Sequence, residues 1–524
     1  MNTHTTTTDI ASAATDLDVI VVGAGLSGIA AAHYLRERCP STRFAMLEAR
    51  QSLGGTWDLF RYPGVRSDSD MFTLGFSFRP WPSDQAIAEG GKILDYLKDT
   101  AHAEGLDTRI RYGHKVLEAR WDSSIARWTL DIERTNADGA QDTQSLTCRF
   151  LFMCSGYYAY EAGHTPTWPG TDTFTGTVVH PQHWPADLDY RDKRVVVIGS
   201  GATAVTLLPS LAASAAHVTM LQRSPSYILS MPQRDGVAER LRAWLPARVA
   251  HRIVRMKNVL IALGFYQAAR RWPHAIRRVL IRRAAQQVQG HADVARDLTP
   301  RYQPWDQRLC LAPGGDIFKA LRGGRAAIVT DEIASFTPRG LALKSGKTLD
   351  ADIVVTATGL RVQLMGGARL RVDGKPVDLC DAVAYKGMMY SDVPNLASIF
   401  GYTNASWTLK AELIAQYVCR LINHMNAHDV DTCVPRLREG EHGELPAIGL
   451  TSGYIQRAAG VLPKQGRRKP WVFYQSYLRD LRLMRWGSVD DGAMRFERRA
   501  TRSVAQATTT RASDTSSAVA TPAR

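Results

Sequence analysis

The chain is short of paired cysteines, of long apolar runs and, in one stretch, of acid. Its seven cysteines (Cys39, Cys148, Cys154, Cys310, Cys380, Cys419 and Cys433) are an odd number without a CxxC pair. That spacing argues against a disulfide framework or a zinc site, so no metal is expected, and a reducing cytoplasm is. No apolar run is long enough to span a bilayer. The opening residues lack the basic start and apolar stretch of a secretory signal. Residues 1–16, and the Ala/Thr/Ser-rich residues 496–524, read as a disordered leader and tail.

Acid is scarcest between Arg234 and Gln289, where thirteen basic residues are opposed only by Asp235 and Glu239. Much of the formal net charge of +15 therefore sits in one segment. The segment mixes its arginine pairs with Trp, Leu, Ile, Phe and Val, as in RRWPHAIRRVLIRRAA. Two readings stay open. It is a helical cap whose apolar face packs on the core while its arginines stay solvated, or it makes a peripheral contact with the inner face of the cell membrane and passes apolar substrate inward. No nucleic-acid motif accompanies the charge, so no nucleic-acid partner is expected.

At 524 residues the chain exceeds one ordinary core and calls for two or three domains. Three β-branched runs end in glycine: DVIVVGAG from Asp18, RVVVIGSG from Arg194 and DIVVTATG from Asp352. The first two open into Ala-rich helical stretches, each reading as strand, tight turn, helix. The third opens no such helix and reads as a strand returning the chain to the first domain. The expected fold is α/β, with two Rossmann-like dinucleotide-binding domains, the second inserted into the first, and a helical insertion. The first domain takes 17–158 and 350–495, the second takes 159–349, and the insertion covers about 232–300.

The two turns differ in what they select. At the first, Gly23 permits the tight turn, Gly25 lets backbone approach a pyrophosphate, and Gly28 packs helix on strand. Glu48, twenty residues on, is placed to accept from ribose hydroxyls, which suits FAD. At the second, the next strand ends in Gln222-Arg223-Ser224 with no acid. A guanidinium and a hydroxyl suit the 2′-phosphate of NADPH.

Five motifs carry a resemblance. They are GGTWDLFRYPGVRSDSDM (Gly54–Met71), FTGTVVHPQHWP (Phe174–Pro185), the paired glycine turns, PWDQRLC (Pro304–Cys310) and GYTNASWTLKAEL (Gly401–Leu413). Across about 17–495 the chain resembles the class B flavoprotein monooxygenases of Baeyer–Villiger type, in their ethionamide-activating branch. The resemblance implies that NADPH reduces FAD and that the electrons are spent on O2, oxygenating apolar ketones and also thioethers or thioamides. It makes Arg308 the catalytic arginine and Asp68 the carboxylate that holds it. It makes Ser27, Glu48, Thr56, Trp57, Asp58, Leu59, Asp68 and Val116 FAD contacts. Arg66, Ser67 and Asp68, then Gly199, Ser200, Gly201, Ala202, Thr203, Ala204 and Val205, with Arg223 and Ser224, become NADP contacts. Relatives that oxygenate amines and sulfides carry another residue where Trp184 stands, which weighs against a mainly N- or S-oxygenating enzyme. Gln307 departs from the ketone-oxidising pattern, where a lysine helps hold the 2′-phosphate, so NADPH preference would rest on Arg223. His180 reads as ordering a hinge rather than as a base, with Phe174 and Trp184 as packing residues. An uncoupled NADPH oxidase or reductase, and a redox sensor at the membrane surface, are the competing readings.

Overall fold

The computed structural model describes residues 16–499. Most of the expected leader and tail lie outside the described residues, but their inner edges do not. Asp16 opens the first strand, and Phe496 pairs with Cys433 in an antiparallel ladder.

Strand β1 (Asp16–Val22), helix α1 (Leu26–Arg38) and strand β2 (Phe44–Glu48) form the first strand–turn–helix–strand unit. β2 is buried at every residue, as a strand covered on both faces must be. β1 lies parallel to β2 on one side and to β3 (Gln141–Met153) on the other, with Val19 beside both Phe44 and Phe150. They belong to a nine-stranded sheet, with β2 next to its edge. On one face α1 packs against the helix Trp407–Ala427, through residues such as Ile29 and Leu35 with Ile414 and Val418. The other face is closed by Trp121, Trp128 and their neighbours.

The second sheet has five strands, all parallel. They are β4 (Thr177–Val179), β5 (Arg194–Ile198), β6 (His217–Gln222), β7 (Ala326–Thr330) and β8 (Ile353–Thr356), in the order β7-β6-β5-β8-β4. Helix α2 (Ala202–Leu211) follows β5 as α1 follows β1. Between β6 and β7 lie the helices Gly236–Trp244, α3 (Ala247–Arg271), Pro273–Val288, Val294–Asp297 and Asp316–Arg322. The second domain is thus inserted into the first.

One expectation fails here. β8, read as the strand returning the chain to the first domain at about 350, pairs with β5 and β4 in the second sheet. The return comes after it, and it runs beside the outward crossing. The amide of Ala159 donates to Arg361 O at 3.0 Å, that of Gln363 to Tyr157 O at 3.0 Å, and that of His164 to Gly359 O at 2.9 Å. The domains are joined by two antiparallel segments. The FTGTVVHPQHWP motif is built onto them: it supplies β4, Gln182 Nε2 donates to Ala159 O at 2.7 Å, and His180 Nε2 lies 3.2 Å from Gly359 O.

Candidate active site

Both glycine turns use the same device. A Cβ on Gly23 (φ +109°) would lie 2.6 Å from the carbonyl oxygen of Cys154, and one on Gly199 (φ +134°) would lie 2.4 Å from that of Ala357. Only glycine tolerates either the conformation or the approach. Each turn delivers a helix whose N-cap, Gly25 or Gly201, has no side chain to satisfy the first-turn N–H groups. Those donors and the helix dipole are left for an anion.

A cavity of about 610 Å³ opens at the N-terminus of α1. Of the residues singled out in the sequence, Gly23, Gly25, Ser27, Glu48, Thr56, Trp57, Leu59 and Val116 line it, as do Arg66, Ser67, Asp68, Ala202, Thr203 and Arg308. Gly28, Gly199, Ser200, Gly201, Ala204, Val205, Arg223 and Ser224 stand off its wall. Asp58 also stands behind the wall, buried between Arg50 at 2.8 Å and Arg61 at 2.7 Å. It holds Arg50, which does line the cavity.

Glu48 is fixed at the end of β2, where one oxygen accepts from Ala24 N at 2.8 Å and the other from Arg50 N at 3.0 Å. Burial pushes its pKa up, and these two bonds oppose that. Each oxygen keeps a lone pair for a further donor. At the second turn, Gln222 is turned inward, giving Nε2 to Asp297 O at 2.8 Å and to Thr330 Oγ1 at 2.9 Å. That leaves exposed Arg223 and half-buried Ser224 at the strand's end, with Ser224 O accepting from Ser200 Oγ at 2.8 Å.

Asp68 and Arg308 meet across the domain boundary, Oδ2 to Nη1 at 3.0 Å. The carboxylate makes the guanidinium hold its proton still more firmly than usual, against the opposing effect of burial. A second ion pair, Arg66 with Asp316, joins the same two segments, and Arg66 also donates to Leu311 O at 3.3 Å. Ser67, between them, is buried: its amide donates to Ala88 O at 2.9 Å and its Oγ accepts from Ala88 N at 3.1 Å. The loop 66–68 is therefore clamped on both sides.

Two groups of residues were missed in the sequence. The first is an aromatic wall. Tyr157 stacks on Trp407 with centroids 5.1 Å apart, and Trp407 Nε1 donates to Ser27 Oγ at 2.8 Å. Tyr402 lines the cavity and donates its hydroxyl to Asp480 at 2.8 Å, which also meets the fully buried Lys410 at 2.6 Å. The GYTNASWTLKAEL motif held this signal, but as a whole rather than residue by residue. The second is on α3. Arg255 is buried and donates to the carbonyls of Phe72, Thr73 and Gly75 at 3.1, 3.2 and 2.6 Å, and to Glu412 at 2.7 Å. Asn258 donates to Asp70 at 2.9 Å, and Arg270 meets Asp306 at 2.9 Å. α3 thus grips both segments that carry the Asp68–Arg308 pair.

Residues 17–256 match the family described as flavin-binding monooxygenase-like. The chain is 53% identical to the FAD-containing monooxygenase EthA of Mycobacterium tuberculosis over 484 residues, 92% of this chain and 98% of that one. In fold it is similar to an oxidized steroid monooxygenase bound to NADP (TM-score 0.71, 22% identity, covering 92% of this chain and 100% of that one). It is also similar to the polycyclic ketone monooxygenase from the thermophilic fungus Thermothelomyces thermophila (TM-score 0.71, 20% identity, 93% and 90%).

Proposed function

This chain belongs to the flavin-binding monooxygenase-like family of FAD-containing monooxygenases, and from that premise we propose that it is a Baeyer–Villiger monooxygenase. It uses FAD, NADPH and O2 to insert one oxygen atom into apolar ketones, giving esters or lactones, and it oxygenates the sulfur of thioamides and sulfides. The observation that carries this reading is the Asp68–Arg308 pair at 3.0 Å on the wall of a cavity lined by Tyr157, Tyr402 and Trp407.

The residues present fit both cofactors. The uncapped start of α1 suits the FAD pyrophosphate and Glu48 suits its ribose, with Ser27, Thr56, Trp57, Leu59 and Val116 along the same cavity. Arg223 and Ser224, beside the uncapped start of α2, suit the 2′-phosphate of NADPH. When bound, the flavin supplies the redox chemistry that takes electrons from NADPH and activates O2. The protein supplies the rest. Arg308 stays protonated and holds the negative charge that develops on the substrate oxygen. Asp68 aims it, and the Arg66–Asp316 pair keeps the Asp68 loop in register with residues 308–316. The aromatic wall keeps water out and favours apolar substrates.

His180 is not a base in this account. Its Nδ1 accepts from Gln182 N and its Nε2 faces Gly359 O, both at 3.2 Å, and burial pushes its pKa down. It ties the motif to the two-segment hinge, which suits a cofactor domain that moves between steps. Trp184, half-buried, packs on Tyr190 and the second core. All seven cysteines are free. Among the described residues no helix is long and apolar enough to cross a membrane.

The test is product analysis: FAD-loaded enzyme, NADPH and a panel of medium-chain and aryl ketones, with thioethers and thioamides in parallel. Esters or lactones by mass spectrometry support the reading. If sulfoxides form but no ketone yields an ester, the Baeyer–Villiger assignment falls. NADPH consumed with only hydrogen peroxide released, whatever the substrate, would mean an uncoupled oxidase.

A further inference from the structure

The Arg-rich segment is not used up by the chemistry above, and its outer surface is not that of a solvated cap. α3 buries Val254, Arg255 and Val259 on its inner side. On the outer side, where a surface helix carries polar residues, stand Val249, Ile253, Met256 and Leu260, 43, 45, 42 and 50% exposed. Their spacing of i, i+4, i+7 and i+11 makes one stripe along the helix. Arg248, Arg252 and Arg271 are exposed on the same helix. Trp244 and Trp272, 87% and 61% exposed, flank its two ends. Of the two acids in the segment, Asp235 is held by Lys257 at 2.5 Å.

We propose that this face docks on an anionic lipid bilayer, the stripe and the two tryptophans entering the boundary between headgroups and acyl chains while the arginines meet lipid phosphates. An aliphatic stripe gains nothing against a nucleic-acid backbone. A second copy of the chain would bring one set of arginines against another. An anionic bilayer takes both the apolar stripe and the single sign of charge.

The placement has a consequence that rests on the proposed function. Asn258 on the inner side of α3 holds Asp70, and the half-exposed Arg270 on its flank holds Asp306, each two residues from a member of the Asp68–Arg308 pair. A docked bilayer then lies about one helix thickness, roughly 10 Å, from the segments that carry the reacting site.

Vesicle co-sedimentation tests this with the full-length, FAD-loaded enzyme. Phosphatidylcholine vesicles are compared with vesicles in which about one lipid in three is phosphatidylglycerol. The enzyme is expected to pellet with the anionic vesicles, and to be released as salt shortens the screening length from about 10 Å at 0.1 M to about 3 Å at 1 M. In the double variant Ile253→Ser/Leu260→Ser, the partition coefficient falls by at least about tenfold. In Arg248→Gln/Arg252→Gln it falls roughly fivefold for each arginine. FAD content and NADPH oxidation stay as in the wild type, which shows that the variants fold. The proposal is overturned if neither vesicle binds, if both bind equally, or if the stripe variant binds as the wild type does. It is also overturned if that variant instead turns a dimer into a monomer, since the face then belongs to a second copy. Vesicle binding is read without turnover, so a failure to oxygenate ketones and a failure to bind lipid are separate results.

Discussion

His251 should make the docking of α3 sensitive to acid. Its side chain is 1% exposed, and among the described residues neither ring nitrogen has a hydrogen-bond partner. Burial, helped by the charges of Arg255 and Arg242, pushes its pKa down from 6.5 to about 3. Above pH 6.5 the ring is neutral whether α3 is docked or open, and it adds no pH dependence. Below that, the open form takes up a proton that the docked form refuses, so docking weakens as pH falls through the window from 6.5 toward 3. The slope is about 1.4 kcal/mol per pH unit, so at about pH 5 the loss is roughly 2 kcal/mol, or about thirtyfold in the opening equilibrium. Amide hydrogen exchange of peptides covering 247–271, corrected for intrinsic rates, reads that opening directly. The wild type should lose protection between about pH 7 and pH 5, and His251→Leu should lose much less of it. An equal loss in both proteins, or none in the wild type, would refute the argument.

Other residues can be tested singly. Arg255→Ala leaves Glu412 buried without its ionic partner, held only by Ser77, and three carbonyls without the guanidinium donor, and should cost about 3–5 kcal/mol in the stability of the α3 contact, seen as early proteolysis of 236–297. Glu48→Gln keeps the shape but loses the charge-assisted acceptor, so FAD should be retained less well through gel filtration, with little change in far-UV circular dichroism. Arg223→Ala should raise the KM for NADPH by about tenfold or more and leave that for NADH nearly unchanged, as expected of a contact with the 2′-phosphate. An equal rise for both cofactors would place Arg223 elsewhere in the site.

What could be read in the sequence was local. A glycine turn between a buried strand and a helix is written in a few adjacent residues, so Gly23 and Gly199 were legible as turn glycines. The place of Glu48 at the end of β2, beside the turn, was legible too, because its distance from the turn is set by one helix and one strand. The Asp68–Arg308 pair joins residues 240 positions apart, and only the family resemblance pointed to it. β8 was misplaced because a β-branched run ending in glycine looks the same in either sheet, and sheet membership depends on pairing with β5 and β4. Arg255 and Arg252 are indistinguishable by composition. One is buried against Phe72 and Glu412 and the other is exposed, and only the docking of α3 separates them.

The central claim is that this protein places one atom of O2 into a ketone with Arg308 holding the charge. Turnover under ¹⁸O₂ tests it most directly, with the ester analysed by mass spectrometry for wild type and Arg308→Ala. The account predicts one labelled oxygen in the wild-type ester. It also predicts that Arg308→Ala loses about 10²–10³ in ester formation while still binding FAD. An ester without label, or a labelled ester formed as fast by Arg308→Ala as by the wild type, would contradict it.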